Sequence, residues 1–242
     1  MKPTSAAFVT LATTCVVSAA LTGCSSSPHG SAQSSARTNS ASPTAVRQSP
    51  ATIGRTAPPK ITPVDVSAWP SIVVPQDKAP RAVKTTAIAS GYTGASYLRH
   101  VAAKWHITLS KRAKSQVPGS PADWFSEGTV HPSQNTALTL SAVWDLRGDV
   151  MIFQCEASVN APQTAAFLRD CTGADFPGAR PKSTAAWLDG MESQVDSAHK
   201  KFNKNVISPI HRSGPAATYL KEGSTEQYGG AYYYVKTFGA GT

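Results

Sequence analysis

The chain predicts an α+β fold, with an antiparallel sheet of about four or five strands in two hairpins, packed with about three helices. Three observations carry that prediction. Two stretches repeat their apolar residues at helical spacing. One stretch alternates strictly and is broken by a glycine-containing turn, and a tyrosine-rich stretch near the C-terminus alternates again.

The first helix is expected from about Thr93 to Trp105, where Tyr97, Leu98, Val101, Ala102 and Trp105 share one face. Ile107-Thr108-Leu109 reads either as a short strand or as a continuation of that helix. Lys111 to Gln134 contains Pro118-Gly119, Pro121 and Pro132 and reads as a long loop, a kind of segment that is often functional. From Thr136, the residues Ala137, Thr139, Ser141, Val143 and Asp145 alternate with Leu138, Leu140, Ala142, Trp144 and Leu146. A second run, Val150 to Ala157, follows Arg147-Gly148-Asp149, so the two form a hairpin. The tripeptide has the letters of an integrin-binding motif, but glycine permits the turn while Arg147 and Asp149 keep it solvated.

Pro162 precedes a short helix over Gln163 to Asp170. A longer helix is expected over Lys182 to Asn203, with Trp187, Leu188, Met191, Val195, Ala198 and Phe202 on one face. Ser183 is its candidate N-cap, and Lys200, Lys201 and Lys204 suit its C-terminal end. Ala217–Lys221 and Ala231–Phe238 complete the second hairpin around the polar loop 222–230.

The composition divides the chain. Residues 1–23 form an export signal, 24–60 a Ser-, Ala- and Pro-rich tether, 61–89 a proline-rich transitional linker, and 90–242 a single domain. The tether has too few bulky apolar residues to offset its ordering entropy and is expected to be disordered. In 61–89, Val64, Val66, Trp69, Ile72, Val73 and Val74 lie among prolines. That stretch either crosses the domain surface with Trp69 as anchor or is free linker. The whole chain carries 23 Lys and Arg against 14 Asp and Glu, a net charge of +9, to which the tether and linker contribute strongly. Basic residues beside a membrane attract anionic lipids and wall polymers. Nucleic acid is not the expected partner, because no basic stripe interleaved with aromatics occurs.

Leu21-Thr22-Gly23-Cys24 closes an uncharged apolar stretch that begins at Ala6 behind Lys2. The tetrapeptide resembles the lipobox of bacterial lipoproteins, and the export segment and tether resemble those of actinobacterial envelope lipoproteins. The resemblance is confined to residues 1–60. It implies cleavage before Cys24, acylation of that cysteine, and anchoring to the outer face of the cell membrane. An ordinary secretory signal, with release of the protein, is the alternative. With Cys15 removed and Cys24 acylated, Cys155 and Cys171 remain, and outside the cytoplasm such a pair reads as a disulfide. Closing a loop of about 15 residues contributes about 3 kcal/mol in the chain-entropy model.

No motif specifies a reaction. The six histidines (His29, His100, His106, His131, His199 and His211) show no metal-ligand spacing, so neither a metal nor a cofactor is expected. Ser197-Ala198-His199-Lys200 matches SxxK only formally, without SDN or KTG partners. Asp123 and Glu127 in the long loop, with His131, are the candidates for a dispersed hydrolase site. Aromatic residues are the better lead for binding: Trp124 and Phe125 in that loop, and Tyr228, Tyr232 and Tyr234 near the last hairpin. Alternation sends Tyr233 to one sheet face and Tyr232 with Tyr234 to the other. The expected role is a non-catalytic envelope module that binds a protein or wall polymer, with an envelope hydrolase as the alternative.

Overall fold

The computed structural model describes residues 61–114, 123–225 and 230–241. The export signal, Cys24, the tether and Tyr228 lie outside the described residues. Strands β1 (Val74–Pro75), β2 (Ala113–Lys114), β3 (Trp124–Val130), β4 (Leu138–Trp144) and β5 (Val150–Ser158) come before β6 (Val206–Ile207), β7 (His211–Ser213), β8 (Ala216–Thr225) and β9 (Gly230–Gly239). All nine belong to one sheet in the order β1-β6-β8-β9-β5-β4-β3-β2, with β7 also on β8, and every pair is antiparallel. Three helices, α1 (Ala95–Lys104), α2 (Thr164–Cys171) and α3 (Pro181–Phe202), accompany it.

The expected sheet of four or five strands is therefore wrong: nine strands make the protein far richer in β-structure. Four of the extra strands have only two or three residues, too few for an alternation to register. The other, β3, occupies the stretch read as a loop. It contains Gly128, which looks like a strand breaker. A Cβ at that position would lie 2.4 Å from the Thr108 carbonyl oxygen, so glycine allows the 107–108 backbone to cross the strand.

The two long hairpins form where alternation placed them, and both are longer than expected or bulged. Val143 pairs with Ile152 but Trp144 pairs with Val150, a bulge that admits the turn over 145–149. Asp145 organises that turn, its Oδ1 accepting from the Arg147 and Asp149 amides at 2.9 and 3.0 Å. Asp149 is buried rather than solvated, and its own Oδ1 accepts from the Gly91 amide at 2.9 Å. The tripeptide is thus a structural corner.

Helix α3 begins at Pro181 at its first position, so Ser183 lies inside it and is no cap. All three helices pack on one face of the sheet. Leu98 and Val101, Phe167 and Leu168, and Leu188 and Val195 meet Leu138, Leu140, Trp144, Phe153, Leu220 and Val235 in one core. Cys155 in β5 is bonded to Cys171 at the end of α2, and both are buried there.

Residues 61–89 wrap the sheet: Ile88 and Val73 join the helix-side core, while Val66 and Val83 lie on the opposite face. Val66 packs with Ala217 and Phe238, β1 pairs with β6, and the Trp69 indole N–H donates to the Ser208 carbonyl at 3.0 Å.

Candidate functional site

Strand pairing decides which of the sequence candidates meet. On the face away from the helices, neighbouring strands present Gln154 and Glu156 from β5, Tyr232, Tyr234, Lys236 and Phe238 from β9, and Tyr219 and Lys221 from β8. Alternation sends Tyr233 to the helix side, where it packs against the main core, as expected from its neighbours.

Three half-buried aromatic rings stack along this face, Trp69 of the 61–89 segment lying on Tyr219. Trp69 lies 5.0 Å from Tyr219, and Tyr219 lies 5.9 Å from Tyr234, with interplanar angles of 26° and 28°. The Tyr234 hydroxyl donates to Gln154 Oε1 at 2.7 Å, and Gln154 Nε2 donates to Glu156 Oε1 at 3.0 Å. The row of rings thus ends in an oriented polar chain. Burial pushes the Tyr219 hydroxyl up to about 12 and raises that of Tyr234 as well, so both remain protonated donors at neutral pH. Tyr232 is buried beside Ala137 and carries the Lys221 ammonium 5.4 Å from its ring centroid.

Sequence reasoning missed the lysines of this face. Lys236 sits between Gln154 and Tyr219 across the ladder, with its ammonium 5.9 Å from the Phe238 ring. Burial pushes its pKa down. Among the described residues, neither Lys221 nor Lys236 forms an ion pair; the four that occur involve Lys104, Arg169, Lys200 and Lys204. A lone lysine inside an otherwise uncharged, aromatic strand was the available signal.

Trp124 and Phe125 are separated by the same alternation. Phe125 lies on the face away from the helices, opposite Val143, while Trp124 pairs with Trp144 on the helix side at the sheet's edge. Trp144 is buried, and its indole N–H donates to the Thr93 carbonyl at 2.8 Å. The Arg112 guanidinium lies 3.8 Å over its ring, and the Lys114 ammonium lies 5.5 Å over Trp124. Together with Leu146, Arg147 and Gly148 of the β4–β5 turn, Arg112 and Trp124 line a notch of about 350 Å³.

The acids of the hydrolase alternative do not converge. Asp123 precedes β3, Glu127 sits in its middle and His131 follows it, so successive Cα atoms lie about 13 Å apart along an extended chain. Glycosidase carboxylates face each other across roughly 5–10 Å. Burial raises the pKa of both acids, with Asp145 adding to the effect at Asp123 and Glu156 at Glu127. His131 Nδ1 is 2.9 Å from the Thr136 carbonyl oxygen. Ser197 donates to the Ser193 carbonyl and Lys200 pairs with Asp196, so the SxxK pair is engaged elsewhere. Among the described residues, no group of three His, Cys, Asp or Glu side chains is arranged to hold a metal ion, and no helix is long and apolar enough to cross a membrane. No family model, curated protein or solved structure matches the chain.

Proposed function

We propose that the protein is a lipid-anchored, extracytoplasmic module of a bacterial envelope that binds a partner without chemically transforming it. The anchor is Cys24, by resemblance of Leu21-Thr22-Gly23-Cys24 to a lipobox. The disulfide between Cys155 and Cys171 agrees with an oxidising compartment. The binding surface is the sheet face away from the helices, where Lys221, Tyr234 and Lys236 are half-buried beside the 61–89 segment.

One observation carries this reading: the stacked row Trp69–Tyr219–Tyr234 stands beside two lysines that have no ion pair among the described residues. Stacked, hydrogen-bonded aromatics lose little side-chain entropy on contact, and unpaired ammonium groups supply orientation. An envelope protein or a wall polymer is the partner class. The spread of Asp123, Glu127 and His131 along β3 argues against hydrolysis at that trio.

Two measurements test the reading. In cells, Cys24→Ala should move the protein from the membrane fraction to the soluble extracytoplasmic fraction; unchanged membrane retention would refute the anchor. A photoreactive residue in place of Lys221 should capture one reproducible partner, and capture should fall when Lys236 is replaced by Met. Capture of nothing specific would refute the binding surface.

A further inference from the structure

The notch at the far edge of the sheet carries a more specific assignment. It is lined by residues from three places in the chain: Arg112 just before β2, Trp124 at the start of β3, and Leu146, Arg147 and Gly148 in the β4–β5 turn, with the Lys114 ammonium beside it, 5.5 Å from the Trp124 ring centroid. Gly148 brings the turn backbone beside Arg112; a Cβ there would lie 4.0 Å from Arg112 Nη1. The Trp144 ring holds the Arg112 guanidinium from one side at 3.8 Å, and Trp144 is itself fixed by its bond to the Thr93 carbonyl. The guanidinium is therefore oriented before any ligand arrives.

The two charged side chains that line the notch, Arg112 and Arg147, are both positive. None of Arg112, Lys114 and Arg147 forms an ion pair among the described residues. Three acids flank the lining residues in the chain, and each is otherwise placed: Asp149 accepts from the Gly91 amide. Asp145 accepts from the turn amides, and Asp123 is partly buried beside the charge of Asp145. Leu146, 65% exposed, and the partly exposed Trp124 indole add apolar surface to the same cavity.

The geometry points to a binding site for a phosphate-bearing sugar or polyol, with Arg112 and Arg147 on the phosphate and Trp124 against the carbon skeleton. Guanidinium groups recognise phosphate oxygens through paired N–H donors, and Lys114 adds a third positive charge that a single carboxylate does not require. A flat indole beside those charges suits the C–H face of a sugar or polyol unit. The assignment depends on the extracytoplasmic location proposed above only for where such a polymer would be met. The binding itself is a property of the folded domain and uses a different surface from the tyrosine face.

The test is calorimetric titration of the full-length lipidated protein in detergent micelles. The probes are a short oligo(glycerol phosphate), an uncharged oligosaccharide and a uronic-acid oligosaccharide of similar length. The phosphate oligomer should bind saturably, more weakly as salt is raised, and more tightly than either other probe. Arg147→Gln, in an exposed turn, should weaken that binding about tenfold at an unchanged thermal midpoint, and adding Arg112→Gln should weaken it further. Equal or tighter binding of the uncharged or the uronic-acid probe would overturn the assignment, as would full affinity in Arg147→Gln or no saturable binding at all. Each of those failures would leave membrane anchoring and capture at Lys221 untouched. Unchanged membrane retention of Cys24→Ala in cells would conversely leave the domain's phosphate binding in the titration unaffected.

Discussion

The Trp69 ring stacks on Tyr219 at 5.0 Å while its N–H reaches the Ser208 carbonyl, so one side chain fixes the 61–89 segment to two sites on the sheet. Replacing Trp69 with Ala removes the stack and the hydrogen bond together. The expected cost is about 2–3 kcal/mol, below the range for fully buried Trp because this ring is partly exposed. Urea unfolding should show that loss. Hydrogen exchange should quicken at Val64 and Lys84, whose amides bond to carbonyls within the same segment.

The disulfide joins β5 to the end of α2 between two buried sulfur atoms. Reduction, or the double substitution Cys155→Ala and Cys171→Ala, should lower stability by about 3 kcal/mol. A thermal midpoint indifferent to reductant would show that α2 is held by packing alone.

Glu222 of β8 is only 2% exposed, and its Oε2 has no hydrogen-bond partner among the described residues. Burial raises its pKa, with Asp196 adding to the rise and His199 and Lys200 opposing it. A carboxyl whose folded pKa lies above its unfolded value binds more protons in the native state. Its contribution to stability is complete below the ordinary carboxylate pKa and is lost as pH rises through the higher folded value. Stability should therefore fall across that window. Glu222→Gln should flatten the fall and raise the thermal midpoint at neutral pH. Parallel pH profiles for the two proteins would show that Glu222 is not responsible.

Lys236 keeps a desolvated ammonium group beside aromatic rings, without an ion pair among the described residues. Lys236→Met replaces it with an apolar chain of similar length and should raise the thermal midpoint by a few degrees. The same change should reduce capture of the partner at Lys221. A variant that gains stability and keeps full capture would show that the lysine is not part of the binding surface.

Legibility in the sequence followed period length. Helix α3 and the β4–β5 and β8–β9 hairpins announce themselves because each repeats its pattern several times within one element. The cysteine pair is legible by elimination. Strands β1, β2, β6 and β7 are too short to repeat anything; β2 forms on the longer β3, β6 and β7 on the longer β8, and β1 adds in turn to β6. Gly128 concealed β3, since its necessity comes from Thr108, which reaches it only in the folded chain.

The candidate surface was half legible for the same reason. Alternation separates Tyr233 from Tyr232 and Tyr234, but the third ring of the stack, Trp69, makes its bond 139 positions away from its partner Ser208. The partition of Trp124 from Phe125 was hidden once their strand had been read as loop. Asp149, whose letters suggest a solvated turn, is buried because Gly91 offers it an amide.

The ends of the sheet limit how this protein can meet others. Each terminal strand has two residues; β1 ends in Pro75, which has no amide proton, and β2 carries Lys114. Such margins give a passing extended chain almost nothing to extend. Two copies meeting edge to edge would find only two-residue strands to pair at these margins. For the same reason, a partner must be chosen by the side chains of the broad faces and corners, where sequence can discriminate, and not by the indiscriminate grammar of the main chain.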